Sequence, residues 1–365
     1  MKFFIKFFTL LFIINCLLFG YGCSALGNSN SQHTADFLAF NTSAYIESYS
    51  SPISNKMKED ISNILLSLDN ELSINNQNSI TYQLNNPNAL TMFSPSTSAY
   101  EIFQLSKEYY SFSDGKFNPA IYPLVKLWHF APNYPVLNFN PPTSQSIEQI
   151  VNSNVLNFSN FILEDGKVYK TEQNSQIDFG SIAKGYACEK VAQYLKNNAC
   201  VDGYVNIGSS SFYLIKTNSN ISVKHPRKVG EHILSITGEK VNLSLSTSGD
   251  YEKNYIYNGT TYSHIINPLT GCPANTGIAS ATIICKSGAF SDAISTALCV
   301  FEHDYLNFEN SELVCFMRKI LTSYPQENCE FYVVFDNGEV KQVLTNRQKD
   351  IDFNLHDNSY NVVNF

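Results

Sequence analysis

Apolar residues recur along the chain with two kinds of spacing, which predict helices and strands respectively. "FLAFNTSAYIESYS" is rich in apolar and β-branched residues and predicts a first strand. In the next segment, "MKEDISNILLSLDNELS", apolar residues follow one another at intervals that predict an amphipathic helix. They are Ile61, Ile64, Leu65, Leu68 and Leu72. Two further helices are predicted, near residues 98–112 and in "SQSIEQIVN". Between them, the glycine and prolines of "SDGKFNPAIYPLVKLWHF" predict a rigid loop before a short helical piece with Trp128.

The middle of the chain, "KVYKTEQNSQIDFGSIAKGYACEKVAQYLKNN", changes from one spacing to the other at Gly180. We predict a strand that ends at Phe179, a turn at Gly180 and then an amphipathic helix. The apolar side of this helix consists of Ile182, Tyr186, Val191, Tyr194 and Leu195.

Strand patterns dominate the rest of the chain. "GYVNIGSSSFYLI" predicts two strands joined by a Gly-Ser turn, and "VNLSLSTSGDY" and "NGTTYSHII" resemble the two arms of a hairpin region. "SGAFSDAISTALCVFE" predicts a helix, and "FYVVFDNGEVKQV" a hairpin turned by Asp336, Asn337 and Gly338. Because strands and helices mix without a regular βαβ rhythm, we predict an α+β fold: one large domain of mixed, mostly antiparallel sheets flanked by helices.

The ends of the chain differ in pattern from this domain. We predict an export signal over residues 1–23, a linker over 24–35, the domain over 36–350 and a polar tail over 351–365. The signal has a charged start with Lys2 and Lys6, followed by an apolar run. A membrane-spanning helix is disfavoured, because the run is shorter than the roughly 20 residues that a span prefers.

Cys23 directly follows Gly22 in "LLFGYGC", which resembles a bacterial lipoprotein cleavage box. We therefore expect an exported protein on the periplasmic or cell-surface face of a bacterial membrane, with a lipid anchor at Cys23. Plain secretion is the alternative. The other cysteines are scattered and form no CxxC pair, which favours buried thiols over a zinc site or a disulfide framework.

The charge of the chain argues against one class of partner. Charged residues make up 15% of the sequence and the formal net charge is -8. A nucleic-acid partner usually requires a basic face, so we predict none.

Three segments contain residues that could carry chemistry. "IDFGSIAKGYA" is a candidate anion site, because a glycine-rich entry exposes N–H groups at a helix N-terminus and Lys184 lies in the first turn. The alternative is an ordinary helix with Ser181 as its N-cap.

Asp292 and Thr296 are four residues apart on a predicted helix and therefore share one face. Their hard oxygens are of the type that Mg²⁺ or Ca²⁺ prefers. Alternatively, Asp292 complements the dipole of its own helix.

His264 could act as a general base or could be a satisfied structural residue. Asp250, in "TSGDY", could orient a ligand or close a turn. GxSxG, HExxH, Walker and GxGxxG signatures are absent from the sequence, which lowers the support for common hydrolases, metalloproteases and nucleotide-loop enzymes.

From about Phe37 to Val343 these segments, in this order, resemble the FAD:protein FMN transferase family, often called ApbE, in its exported lipoprotein form. "SDGKFNPAIYPLVKLWHF" is similar to the family's "DGaFDpTvgPLvnlWgf", "IDFGSIAKGYACEKV" to "vDlGgiaKGyavDrv" and "VNIGSS" to "vniGGd". "STSGDYEKNYIYNGTTYSHIINPLTGCP" is similar to "aTSGdYeryfe.dGkrYsHIidPrTGyP", and "SDAISTAL" to "aDalaTal".

The resemblance implies an enzyme that cleaves FAD in a metal-dependent step and transfers FMN to a threonine or serine of a partner flavoprotein, with release of AMP. The partner would be an electron-transfer or respiratory subunit. The resemblance implies that Asp292, Thr296 and the carbonyl of Ala183 hold Mg²⁺, or Ca²⁺ or Mn²⁺, and that His264 deprotonates the acceptor hydroxyl. The residues that it places near FAD are Asp178, Gly180, Ser181, Lys184, Gly185, Gly208, Thr247, Ser248, Gly249, Asp250, His264, Thr270 and Gly271.

Several positions depart from the family pattern. Asn118 and Ala120 replace an aspartate and a threonine, Ser209 replaces a glycine, and Asn267 with Leu269 replaces "DPr". Asn75 stands where an aromatic residue is expected, and the loss of that ring would favour hydrolysis of FAD to FMN and AMP. The sequence therefore leaves two alternatives to transfer, a FAD pyrophosphatase and a non-catalytic flavin-binding lipoprotein.

Overall fold

A large antiparallel sheet organises the fold of this protein. The computed structural model describes residues 33–88, 92–131, 139–238, 242–304, 307–346 and 351–365. The predictions of an export signal and of an anchor at Cys23 lie outside the described residues. Within the described residues, no helix combines the length and apolar character that a membrane span requires.

Eight α-helices lie in the described residues, and six of them begin after a serine or threonine whose side chain accepts a backbone N–H at the helix start. They are α1 Asn55–Leu72, α2 Ile80–Asn85, α3 Thr97–Phe112, α4 Tyr122–Leu127, α5 Ser144–Val151, α6 Ala183–Asn197, α7 Gly288–Leu298 and α8 Glu312–Ser323. The helices predicted from apolar spacing are therefore confirmed.

The described strands form four sheets. They are β1 Thr34–Ala39, β2 Thr42–Ser48, β3 Met92–Phe93, β4 Phe161–Glu164, β5 Lys167–Lys170, β6 Gly203–Ile207, β7 Ser211–Ile215, β8 Asn220–Lys224, β9 His232–Gly238, β10 Leu243–Gly249, β11 Asn254–Tyr257, β12 Thr260–Ser263, β13 Ile278–Cys285, β14 Glu330–Asp336, β15 Lys341–Thr345, β16 Ile351–Leu355 and β17 Asn361–Asn364. The nine-stranded sheet has the order β1-β2-β6-β7-β10-β13-β14-β15-β17. Its neighbours are antiparallel except for the parallel pair β15 and β17.

Both faces of this sheet are covered. Alternate residues of a strand point to opposite faces, and Ile283 and Val333 belong to the main core, whereas Ile284 and Val334 belong to a second core. On the first face, α6 packs against β7 and α7 packs against β10 and β13. The second core includes residues of β8 and β9, which pair with β16 in a three-stranded sheet. The predicted α+β class with mostly antiparallel sheets is confirmed.

Five predictions about strands and chain ends need correction. "FLAFNTSAYIESYS" forms two strands, because Phe40 and Asn41 both adopt positive φ and turn the chain between β1 and β2. β1 begins at Thr34, inside the predicted linker of residues 24–35.

The segment that ends at Phe179 is not a strand, since β5 ends at Lys170. Here the backbone of Ile177 pairs with a side chain: its N–H donates to Asn85 Oδ1 at 2.6 Å and its carbonyl accepts from Asn85 Nδ2 at 2.8 Å. "VNLSLSTSGDY" and "NGTTYSHII" do not pair with each other, because β12 pairs with β11 while β10 lies between β7 and β13.

The predicted polar tail, residues 351–365, contributes two strands. β16 pairs with β9, and β17 adds a ninth strand to the large sheet. Tyr360, between them, is buried in the second core. This segment is therefore part of the folded unit.

Candidate functional site

The start of α6 forms one wall of the candidate site. Gly180 N donates to Asp178 Oδ1 at 2.8 Å, which turns the chain into the helix. The N-cap residue is Ile182, which makes no side-chain cap, so the alternative of Ser181 as N-cap is wrong. Lys184 lies in the first turn, as expected. Its Nζ donates to Gly180 O at 2.9 Å and lies 3.8 Å from Asp292 Oδ2.

α6 and α7 cross at two glycines that bring Asp292 to this wall. A Cβ added to Gly185 would lie 2.0 Å from Gly288 O and 2.6 Å from Asp292 Cβ, distances that no side chain tolerates. Because both positions lack a side chain, Gly185 N donates to Asp292 Oδ2 at 2.9 Å. Asp292 therefore complements the dipole of α6 and not, as the alternative had it, that of its own helix.

The carboxylate of Asp292 is buried among hydrogen-bond donors and one ammonium group. Asp292 is 4% exposed. Its Oδ1 accepts from Ser211 Oγ at 3.4 Å, while its Oδ2 faces Lys184 and the start of α6. The anion at this helix N-terminus is thus one of the chain's own carboxylates.

One turn further along α7, Thr296 meets the "TSGD" segment. Ser248 Oγ lies 2.9 Å from Thr296 Oγ1 and 2.9 Å from Ser295 Oγ. Thr247 points to the opposite face of the sheet, where its Oγ1 lies 2.8 Å from Thr282 Oγ1. There it lines a small pocket with Ser209. The structure thus places Ser248 beside α7 and Thr247 on the other face.

The oxygens near α7 fit a hard divalent cation. Within the described ranges, no three His, Cys, Asp or Glu side chains cluster as metal ligands. Instead Asp292 provides one carboxylate, Thr296 provides a hydroxyl one turn along α7, and Ala183, whose carbonyl is the third expected ligand, is the first residue of α6. Mg²⁺ commonly binds through one or two carboxylates and completes its shell with water and substrate phosphates. The ammonium of Lys184 beside Asp292 shows that this carboxylate already attracts a cation.

Gly208 closes the site from the turn between β6 and β7. Its φ is +68°, and a Cβ there would lie 3.5 Å from Lys184 Cδ. The next residue, Ser209, also has a positive φ, of 57°. A glycine, as in the family pattern, would adopt this conformation more easily.

His264 follows β12 and is held as a neutral base. Its backbone N–H donates to Lys253 O at 3.0 Å, and its Nδ1 is buried without a hydrogen-bond partner. Burial, followed by the positive charge of Lys253, lowers the pKa of His264 to about 4. Near neutral pH the imidazole is therefore uncharged.

Lys253 is a residue of this site that the sequence analysis missed. Its charge acts on His264 and also on Asp178. Burial raises the pKa of Asp178, and the Gly180 N–H, Lys184 and Lys253 only partly oppose this effect. Asp178, Lys184, Lys253 and His264 thus form one electrostatic group. The position of Lys253, three residues after Asp250, was the only signal for it in the sequence.

The "NPLTG" turn has a positioning role in this structure. Gly271 has a φ of +71°, and its carbonyl accepts from Trp128 Nε1 at 2.7 Å. A Cβ at Gly271 would lie 2.6 Å from side-chain atoms of Ile147 and Val151. Thr270 is exposed and accepts from Cys272 N at 3.3 Å. The turn thus attaches the segment after His264 to α5 and the Trp128 loop.

Asp250 is held by a residue outside the predicted set. Arg227 donates from Nη1 to Asp250 Oδ1 at 2.7 Å and from Nη2 to Asp250 Oδ2 at 2.9 Å. Gly249 precedes it at the end of β10, where a Cβ would lie 2.6 Å from the Tyr251 ring.

Two departures from the family pattern have local structural partners. Asn118 is buried: its Oδ1 accepts from Ala120 N at 2.9 Å and its Nδ2 donates to Leu156 O at 2.8 Å. Asn75 lies after α1, where its N–H donates to Ser73 Oγ at 3.2 Å. Asn118 therefore starts the short helical turn at residues 119–121 in place of an aspartate.

Comparison with known proteins gives a consistent picture. A family model described as the ApbE family matches residues 40–314. The FAD:protein FMN transferase of Treponema pallidum is 25% identical over 265 residues, which are 67% of this chain and 71% of that protein. That of Vibrio cholerae is 25% identical over 262 residues, which are 70% of this chain and 76% of that protein.

Solved structures share the fold. The ApbE protein from Thermotoga maritima superposes with a TM-score of 0.70 at 26% identity, covering 87% of this chain and 96% of that one. The flavinyl transferase ApbE from Pseudomonas stutzeri, in its apo form, gives a TM-score of 0.68 at 22% identity, over 86% of this chain and 93% of that one. The second likeness concerns the fold alone.

Proposed function

The chain belongs to the ApbE family, and from that premise we propose that it transfers FMN from FAD to a threonine or serine hydroxyl of a partner flavoprotein, releasing AMP. The names of its relatives support this proposal. The structural observation that carries it is the buried Asp292 carboxylate, which joins the start of α6 to α7 with Lys184 beside it.

Asp292, Thr296 and the carbonyl of Ala183 would hold the divalent cation, with Mg²⁺ as the first candidate. A cation bound there would neutralise charge that develops on the phosphoryl oxygens of FAD. Lys184 lies in the first turn of α6, from which its ammonium can turn towards a substrate phosphate.

His264 would act as the general base. Because Nδ1 is buried against the protein, Nε2 is the ring nitrogen that takes the proton from the acceptor hydroxyl. The hydroxyl oxygen then bonds to the phosphorus of the FMN half, the bond to the bridging oxygen breaks, and AMP leaves with the electron pair. Burial, followed by the charge of Lys253, lowers the pKa of His264 and so keeps the imidazole uncharged, with a lone pair available for this proton, while making it a weaker base.

The proposal is tested by incubating purified protein with FAD and Mg²⁺, with and without a candidate electron-transfer flavoprotein. We expect AMP release, and a mass increase of one FMN on a threonine or serine of the acceptor. AMP and free FMN without acceptor labelling would identify a FAD pyrophosphatase. FAD that is bound and recovered unchanged would identify a flavin-binding protein without catalysis.

We also propose that the protein is exported and anchored at Cys23, on the strength of the charged start, apolar run and cleavage-box pattern of residues 1–23. Detergent phase partitioning of the protein expressed in a bacterial host would test this. Wild type should enter the detergent phase and Cys23→Ala should not. Partitioning of both into the aqueous phase would favour simple secretion.

A further inference from the structure

We propose that Arg227 is a positioning residue for Asp250, and that residues 351–365 hold Arg227 in place. We call residues 225–228 together with residues 351–365 the C-terminal clamp. The inference rests on the proposed function, because it concerns how the "TSGD" segment is presented to FAD. The clamp joins a segment beyond the family match, which ends at residue 314, to a motif inside it.

The hydrogen-bond partners of Arg227 are oxygens of the protein itself, which indicates a structural role and not the direct binding of a ligand. Besides its two bonds to Asp250, Nη2 donates to Asp336 O at 2.8 Å and Nη1 to Pro226 O at 3.3 Å. Both terminal nitrogens of the guanidinium group, Nη1 and Nη2, therefore donate to protein oxygens. Two parallel N–H···O bonds also fix the plane and direction of a carboxylate, which a single ammonium does not.

The loop that carries Arg227 is oriented by His225, whose side chain is 1% exposed. Its Nδ1 accepts the backbone N–H groups of Arg227 at 3.1 Å and Lys228 at 3.2 Å. Because a backbone N–H can only donate, Nδ1 must carry the lone pair, and the proton of the neutral ring is on Nε2. This proton is directed at Asp357 Oδ2, at 3.1 Å. Asp357 also accepts from Lys228 Nζ at 2.7 Å.

A second contact from the tail fixes the other partner of Arg227. Tyr360 is 3% exposed and donates its hydroxyl to Asp336 Oδ2 at 2.5 Å. Asp336 is the last residue of β14, and its carbonyl is the group to which Arg227 Nη2 donates. The tail thus supports Arg227 from two sides, through Asp357 with His225 and through Tyr360 with Asp336.

Asp250 is close enough to the candidate site for this support to matter. It comes two residues after Ser248, whose hydroxyl contacts Thr296, and three before Lys253, whose charge acts on His264. Its backbone N–H donates to Ala279 O at 3.0 Å, so its main chain is attached to β13. The sheet fixes the main chain of Asp250, and Arg227 fixes its side chain.

The experiment measures FAD affinity by flavin fluorescence, and KM and kcat for AMP release, in full-length protein. Arg227→Lys keeps the positive charge but loses the pair of parallel hydrogen bonds to Asp250. We expect it to weaken FAD binding and raise KM about tenfold, since bonds to charged groups are strong, while kcat changes less than about threefold. Asp250→Asn should have a similar effect.

The contacts of the tail are tested by Asp357→Asn and Tyr360→Phe, each of which should weaken FAD binding about threefold. In the Arg227→Lys background the same substitutions should weaken binding by a smaller factor, because the groups act as one network.

Arg318→Lys is the matched control. Arg318 also joins a carboxylate and a backbone carbonyl, both of Glu309, but it does so on α8. Unchanged FAD affinity in Arg227→Lys, or an equal loss in Arg318→Lys, would overturn the proposal. If the wild type binds FAD without releasing AMP, the proposed function is refuted. The FAD affinities of wild type, Arg227→Lys and Arg318→Lys would still test whether Arg227 positions Asp250. A wild type that binds no FAD would overturn both.

Discussion

Asp292 has two roles that one substitution can separate. Its Oδ2 accepts the Gly185 N–H and its negative charge faces Lys184. Asparagine at this position keeps an oxygen for the N–H but loses the charge on which a divalent cation depends. The two roles therefore predict different outcomes for stability and for turnover.

We expect Asp292→Asn to slow Mg²⁺-dependent AMP release by about 100-fold or more, the scale on which loss of one electrostatic group lowers turnover. The thermal unfolding midpoint should change little. Activity is measured from AMP by chromatography, with Asp114→Asn as the control, since Asp114 is exposed and has a positive φ that asparagine accepts. Wild-type turnover in Asp292→Asn would refute the assignment of this carboxylate.

The low pKa of His264 predicts the pH dependence of transfer. Because the base must be neutral, the rate should fall only as the pH approaches about 4, well below the ordinary histidine value of 6.5. Lys253→Met removes a positive charge, so the pKa rises towards 6.5 and the acid limb of the rate profile moves to higher pH. The measurement is the rate of acceptor labelling between pH 4 and 8. An acid limb that stays at the same pH in Lys253→Met would contradict the contribution of Lys253.

At the residue scale, the sequence predicted what depends on local spacing. Asp292 and Thr296 do share one face of α7, because residues four apart on a helix must. Arg227 was missed because its partner Asp250 is reached through a turn and a sheet, and neither residue carries a local signal for the other. The role of Asp292 at a different helix was missed for the same reason.

At the scale of elements, the crossing of α6 and α7 fixes the distance between the start of α6, which carries Lys184, and the part of α7 that carries Asp292. Gly185 and Gly288 allow backbone to approach backbone, since a Cβ on either would lie about 2 Å from the other's carbonyl oxygen. Backbone on both sides leaves no flexible side chain that could yield. The position of Asp292 therefore depends on this contact.

Gly185→Ala tests that dependence. We expect the free energy of unfolding to fall by about 3 kcal/mol, the upper range for overpacking, and AMP release to fall with it as α7 moves outward. Urea unfolding provides the measurement. Asn197→Ala, at the exposed end of the same helix, should leave both unchanged. An unchanged free energy of unfolding in Gly185→Ala would mean that α6 and α7 can move apart without loss of stability, which would contradict this prediction.

Elements with a long periodic pattern were predicted well, and those defined by a partner were not. α1 and α3 follow from apolar spacing because each buries one side of itself against the core, whereas α7 is buried on nearly all sides. The segment before Phe179 has the composition of a strand, yet Asn85 satisfies its backbone, and Asn85 is distant in sequence. Likewise, the alternation in β10 and β12 shows that each is a strand but not which strand it pairs with.

At the scale of the whole molecule, residues 351–365 complete two sheets. Removing them would expose the hydrogen-bonding edges of β9 and β15 and would open the second core at Tyr360. We expect their deletion to lower the free energy of unfolding by roughly 5 kcal/mol, comparable to the loss of one large core ring. Thermal unfolding followed by circular dichroism would measure this. Val362→Ala, at a half-exposed position of β17, is the control and should change the midpoint only slightly.

The α+β class was predictable, because mixed helix and strand patterns without a βαβ rhythm favour antiparallel sheets. The tail was not, because polar residues such as Asp352 and Asn354 alternate with Phe353 and Leu355 over too short a span to distinguish a strand from a loop. The burial of Tyr360 depends on neighbours that only the folded chain supplies.

The strands of the large sheet follow chain order from β1 at one edge to β17 at the other. During translation the ribosome therefore makes them in the order in which they lie side by side in the sheet, and Asp357 and Tyr360 emerge after eight of the nine. A message cut short after residue 346 would still encode eight of the nine strands. Its product would have an aspartate at position 250 without the support that orients it, so we expect it to bind FAD more weakly than a chain that includes residues 351–365.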